Sequence, residues 1–125
     1  MANDNSKADR KCRRKLGAIA WKRELSAEIH KLADAICAMD AGDLSPHDVN
    51  DQIHEFHDGI SRELWRRYTQ SDPGASVYRA HYDGYLTDDD LVDATQGVRD
   101  AVREFADLIR NTTYCEPLPE IPDGG

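Results

Sequence analysis

From Lys15 to Met39 the apolar residues Ala18, Trp21, Leu25, Ile29, Leu32, Ile36 and Met39 recur at steps of three and four. An α-helix returns side chains to one face at that interval, so the stretch reads as one long amphipathic helix. Such a helix needs neighbours along one side, and a chain of 125 residues has the length for one core around it and not two. The same heptad-like spacing invites pairing with a second copy, which makes a homodimer one expectation.

The rest of the chain supplies helical neighbours. Ala41-Gly42 stops the first helix, because Gly42 can adopt the left-handed conformation that closes one. Ser45-Pro46-His47-Asp48 then restarts the chain, with Ser45 as N-cap, Pro46 at the first helical position and Asp48 reaching back. The second helix is expected to run to about Tyr68, buried through Val49, Ile53, Phe56, Ile60, Leu64 and Tyr68, and its short link sets it antiparallel to the first. After the turn at Ser71-Asp72-Pro73-Gly74, a short helix spans Ser76 to Asp83 and ends at Gly84. Thr87-Asp88-Asp89-Asp90 reads as the N-cap of a last helix that buries Leu91, Ala94, Val98, Val102, Phe105 and Ile109. Three prolines follow in residues 116–125, so an extended or flexible tail is expected.

The expected fold is therefore all-α, a compact bundle of three main helices plus one short helix. Residues 1–15 form a basic N-terminal extension, residues 16–110 the helical domain and residues 111–125 the flexible tail. The basic segment from Lys7 could also continue the first helix, with Gly17 as a weak join.

Composition narrows the setting. Charged residues at 32% and hydrophobic residues at 39% fit a folded, soluble domain. No apolar run approaches the roughly 20 residues of a bilayer span, and no apolar core follows the basic N-terminus as it would in a signal peptide. The expectation is a cytoplasmic protein. Cys12, Cys37 and Cys115 are odd in number, scattered and without metal-site spacing, which fits a reducing compartment. For the same reason the glycosylation pattern at Asn111-Thr112-Thr113 carries no weight.

The net charge of −8 conceals a division. Eight basic residues stand against Asp4 and Asp9 in residues 1–23, a local charge of +6 that leaves −14 on the remainder. Arg10, Lys11, Arg13, Arg14 and Lys15 are the densest cationic run, and such a run meets phosphate or an acidic protein surface. No helix-turn-helix spacing, strand-borne aromatic motif or zinc finger accompanies it. With the body at −14, a protein partner is favoured over nucleic acid. Trp65 is expected to pack beneath the basic leader of the first helix or the short third helix, or else to anchor a partner; with Arg66 and Arg67 it supplies a second candidate contact, as aromatic and arginine side chains anchor interfaces.

His47, Asp51, His54 and Asp58 are spaced four, three and four apart, so a helix lines them up as a stripe of metal-ligand side chains. The stripe lies roughly opposite Val49, Ile53, Phe56 and Ile60 and so points to water, whereas working metal sites are partly dry. His57, on the flank of the apolar stripe, is expected to be a hydrogen-bonded structural residue. A divalent metal, and with it a metal-dependent activity, is the alternative reading; the expected cofactor is none. Gly-rich phosphate loops, the nucleophile elbow and the Glu-x-x-His pattern of diiron bundles are all missing from the sequence.

Gly42-Asp43-Leu44-Ser45-Pro46-His47-Asp48-Val49 is echoed 42 residues later by Gly84-Tyr85-Leu86-Thr87-Asp88-Asp89-Asp90-Leu91. Shared turn chemistry explains the match, with duplication of a hairpin as the alternative. The second copy also resembles the end of a calcium loop, but Arg79 and His81 occupy the first two ligand positions and exclude it. The composite expectation is a non-enzymatic regulatory or adaptor protein that binds another macromolecule.

Overall fold

The computed structural model describes residues 6–115. Helix α1 spans Lys7–Asp40, α2 Pro46–Glu55, α3 Arg62–Tyr68, α4 Ala75–Tyr82 and α5 Gln96–Cys115. Between α2 and α3 the chain does not break: a π-helical stretch, Phe56–Ser61, joins them into one long rod. A single 3₁₀ turn, Asp88–Leu91, lies between α4 and α5. The fold is all-α, and no strand occurs among the described residues.

Ser6 starts α1 by accepting a hydrogen bond from the Asp9 amide at 3.0 Å, which satisfies one of the four free amides of a helix N-terminus. The basic segment is thus the first turns of α1, continuous through Gly17. Glycine at that position serves a close approach: a Cβ there would stand 3.1 Å from the Pro73 ring and 3.6 Å from Tyr68. At its far end α1 closes on Gly42, whose φ of 88° suits glycine. The Asp43 and Leu44 amides then bond back to the Ala38 carbonyl. Gly84, at φ 93°, closes α4 in the same way, with the Tyr85 and Leu86 amides on the Ala80 carbonyl.

The two echoed sequences therefore share their turn geometry down to individual hydrogen bonds. They also share the reciprocal cap. Asp48 accepts from the Ser45 amide at 3.0 Å, and Asp90 accepts from the Thr87 amide at 2.7 Å. Beyond the cap the two segments diverge. Ser45 starts a ten-residue helix, whereas Thr87 starts only the 3₁₀ turn, and the last helix begins eight residues later than the sequence suggests. Its real cap is Thr95, whose hydroxyl accepts from the Val98 amide at 3.3 Å.

The core sits at one end of the molecule. Leu16 and Ala20 of α1, Leu64 and Tyr68 of α3, Val77 and Tyr78 of α4, and Val98 and Val102 of α5 converge there with Leu86, Leu91 and Ala94 of the connecting segment. α4 and α5 pack on each other and on α1. The C-terminal half of α1 runs beyond this core with α2 and the π-helical stretch beside it, buried locally at Ala35 and Val49. At 1.5 Å per residue the 34 residues of α1 measure about 51 Å. The molecule is a small helical bundle with a projecting two-helix hairpin.

Two expectations about faces are corrected. The core face of α1 carries Leu16, Ala20, Arg13 and Glu24, while Ile29 and Ile36 of the apolar stripe are 47% and 44% exposed. On α2, Ile53 is 45% exposed. The hairpin has one helix on one side of α1, too little to cover a stripe of this width. Beyond Arg110, α5 continues to Cys115; residues 116–125 of the expected tail lie outside the described residues.

Candidate interaction surfaces

The cationic run is divided between interior and surface. Arg13 is 2% exposed. It grips Asp72 with two parallel bonds, Nε to Oδ1 at 2.8 Å and Nη2 to Oδ2 at 2.6 Å, and donates to the Tyr78 hydroxyl at 3.3 Å. Asp72 in turn accepts from the Gly74 amide at 3.0 Å. The Arg13 bonds, with the smaller effects of the Gly74 amide and the nearby charge of Arg10, hold the Asp72 carboxyl below its ordinary range. Arg13 is thus a structural clamp between α1 and the turn before α4, not a residue on offer to a partner. Lys11, Arg14 and Lys15 are exposed; Arg14 reaches the Ser71 carbonyl at 3.4 Å. Lys11 and Lys15 edge a cavity of about 370 Å³ whose other walls include Cys12, Leu16, Asp90 and Asp93.

Three further polar clamps hold α1 to the rest of the chain. The buried Asp9 carboxylate accepts from Thr95 Oγ1 at 2.5 Å, beside the first turn of α5. Glu24, also buried, accepts from the Tyr68 hydroxyl at 3.0 Å and from Arg67 Nη1 at 3.1 Å. Burial, and then the Glu24 charge, raise the Tyr68 phenol above its ordinary value. Arg23 holds both oxygens of Asp90, at 2.7 and 3.1 Å, and the Tyr85 carbonyl at 3.0 Å. Arg67, expected to meet a partner, is committed instead to Glu24 and to Glu63 at 3.3 Å.

Trp65 is 59% exposed, so the reading that packs it beneath a neighbouring element is overturned. Leu64 and Tyr68 carry the buried register of α3, and one further residue turns a side chain by about 100°. The indole therefore leaves the core. With His57, Ser61, Arg62 and Arg66 it lines a shallow depression of about 340 Å³ on the outer face of the rod. Arg62 and Arg66 are exposed, and neither meets a carboxylate within ion-pair distance among the described residues. Arg62 was not picked out from the sequence, although Arg62, Trp65 and Arg66 stand at i, i+3 and i+4, the spacing of neighbours on a helix surface.

His47, Asp51, His54 and Asp58 are all exposed. Among the described residues no three His, Cys, Asp or Glu side chains come near enough to hold a metal ion. The π-helical stretch contains Asp58 and changes the helical phase, so the four-residue step from His54 no longer stacks the two side chains as a regular helix would. His57, read as a structural histidine, is instead exposed, 3.3 Å from its neighbour Asp58.

Fold and surface together define a small all-α protein whose core is clamped by buried polar pairs and whose exposed apolar side chains include Ile29, Ile36 and Ile53 on the hairpin and Trp65 on α3. No family model, no curated protein and no solved structure matches this chain. No helix among the described residues is long and apolar enough to cross a membrane.

Proposed function

We propose that this chain is a non-enzymatic binding protein, and that Trp65 with Arg66 and Arg62 forms its contact with a protein partner. The observation that carries the reading is the exposure of Trp65 between two arginines that meet no carboxylate among the described residues. A large aromatic flanked by such cations is the composition of an interface anchor, since tryptophan and arginine contribute most per side chain when a partner excludes water from them. The partner this surface fits is a protein segment with an apolar residue for the indole and acidic residues on either side. Lys11, Arg14 and Lys15, on the first turns of α1, extend the cationic surface available to an acidic partner.

A photoreactive amino acid at position 61, beside Trp65, tests this in the producing cell. Crosslinked protein species, identified by mass spectrometry, are expected for the parent chain and lost when Trp65→Ala and Arg66→Glu are added. The folded chain should keep its stability within about 0.5 kcal/mol, as surface substitutions do. Crosslinks that persist undiminished in the double variant, or that run to nucleic acid alone, overturn the proposal.

A further inference from the structure

Beyond the Trp65 contact, we propose that the projecting hairpin pairs antiparallel with a second copy of the same chain through the exposed stripe of α1. The stripe has a repeat of its own. Leu25, Ile29, Leu32, Ile36 and Met39 follow steps of four, three, four and three, which is the 3.5-residue period of helices that pack side chain into gap along a shared seam. Within that repeat Ile29 and Ile36 occupy one seam position and Leu25, Leu32 and Met39 the other. Yet the two isoleucines are about half exposed. The core takes Leu25 at one margin of the stripe and Leu32 lines the groove toward α2 and the π-helical stretch, which leaves Ile29 and Ile36 uncovered.

Ile53 widens the same surface. Ile29, Ile36 and Ile53 each lie one residue beyond a position turned toward the neighbouring helix or the groove beside it, namely Glu28, Ala35 and Gln52. In an antiparallel pair, a step along either chain turns side chains to the same side. All three isoleucines therefore fall on one side of the hairpin, beside a groove lined by Glu28, Lys31, Leu32, Gln52, Glu55 and Phe56.

Charge selects the occupant and its direction. Lys22 is seven residues before Ile29, and Asp40 lies eighteen residues, or about five helical turns, beyond Lys22, so both share the phase of the stripe. Both are exposed, and neither meets an opposite charge among the described residues. One end of the stripe is cationic and the other anionic. A parallel copy sets like against like, whereas an antiparallel copy sets Lys22 of each chain against Asp40 of the other. With Leu25 facing Ile36 and Ile29 facing Leu32 across a two-fold axis, the four inner layers are apolar, and in the outer layers Lys22 faces Met39 with Asp40 beside it. The surface is complementary to itself, as a two-fold interface requires.

Sedimentation equilibrium of the full chain over a concentration series is the test, and a species of twice 14.1 kDa is expected at low salt. Ile29→Glu with Ile36→Glu should weaken association by roughly 100-fold or more, because it places carboxylates in the seam of both copies. Circular dichroism checks that this exposed pair of changes leaves the fold intact. Lys22→Asp and Asp40→Lys should each weaken association by about tenfold, and the double reversal should restore it. Trp65→Ala should leave it unchanged, which separates this surface from the proposed partner contact. A chain that stays monomeric to millimolar concentration, a dimer indifferent to the glutamates, or a double reversal that does not restore pairing overturns the proposal.

Discussion

Replacing Arg13 with alanine asks whether the first turns of α1 belong to the folded unit. The guanidinium is buried, makes two short bonds to Asp72 and a third to Tyr78, and so spans a separation of 59 residues in sequence. Truncation removes these bonds and strands a carboxylate. Breaking a fully buried pair costs about 3–5 kcal/mol. The Asp72 side chain keeps 28% of its surface in water and its bond from the Gly74 amide, so the lower end applies, about 3 kcal/mol. For a domain of this size that lowers the melting temperature by roughly 10–15 °C. Asp72→Asn keeps the shape and leaves the buried cation uncompensated, at about 2 kcal/mol. A double-mutant cycle between the two should return a coupling of about 1.5–3 kcal/mol. Urea unfolding followed by circular dichroism measures all four corners, with Arg14→Ala as a surface control within about 0.5 kcal/mol. A cost below about 0.5 kcal/mol for Arg13→Ala would refute the reasoning, for α1 would then be anchored without its clamp and the cationic run would behave as a separate arm.

The same polar clamps yield two further predictions. Asp90 is held down to about 2 by its bonds from Arg23 and from the Thr87 amide. A carboxyl depressed in the folded state stabilises it fully above the unfolded value of about 4, and that stability is lost as the pH falls from about 4 toward 2. Urea midpoints measured across that window should fall for the parent chain, and should fall less for Arg23→Ala, which starts lower because the main cause of the shift is gone. Gly97 lies against Asp9 so closely that an added Cβ would overlap the carboxylate. Gly97→Ala should cost about 1–3 kcal/mol by crowding, and clearly less in an Asp9→Ala background; equal costs in the two backgrounds would refute the overlap.

The existence of the helices was legible because periodicity and caps are local. Ser45, Pro46, Asp48, Gly42 and Gly84 state their roles within a few residues, and the structure gives each the predicted geometry. Orientation was not legible for α1. Its core face includes Asp9, Arg13 and Glu24, which a hydropathy pattern assigns to water, and their partners Thr95, Asp72 and Tyr68 lie 86, 59 and 44 residues away. Nothing near a charged residue in sequence announces such a partner. The start of α5 was misplaced for a related reason. The cap at Thr87 is real, but its reciprocal bonds are satisfied by a single turn, and Thr95 provides the next stop with no acid three residues on to mark it.

The same inversion explains where the candidate surfaces lie. Hydropathy alone assigns the stripe of α1 to the core and the cationic run to solvent, and each assignment is partly reversed. Polar clamps secure α1 to α3, α4 and α5 from one side, and beyond Leu25, which packs against the core, its stripe is left half exposed at Ile29 and Ile36. On α3 Leu64 and Tyr68 reach the core while Trp65, one residue past Leu64, turns away from it. Exposed apolar residues are ordinary when scattered singly. Val92 and Leu108 are exposed in that way, whereas Ile29 and Ile36 keep a seam repeat with opposite charges at its ends and Trp65 stands between two arginines that meet no carboxylate among the described residues. A surface so ordered has a cost in solubility that contact with another chain would offset.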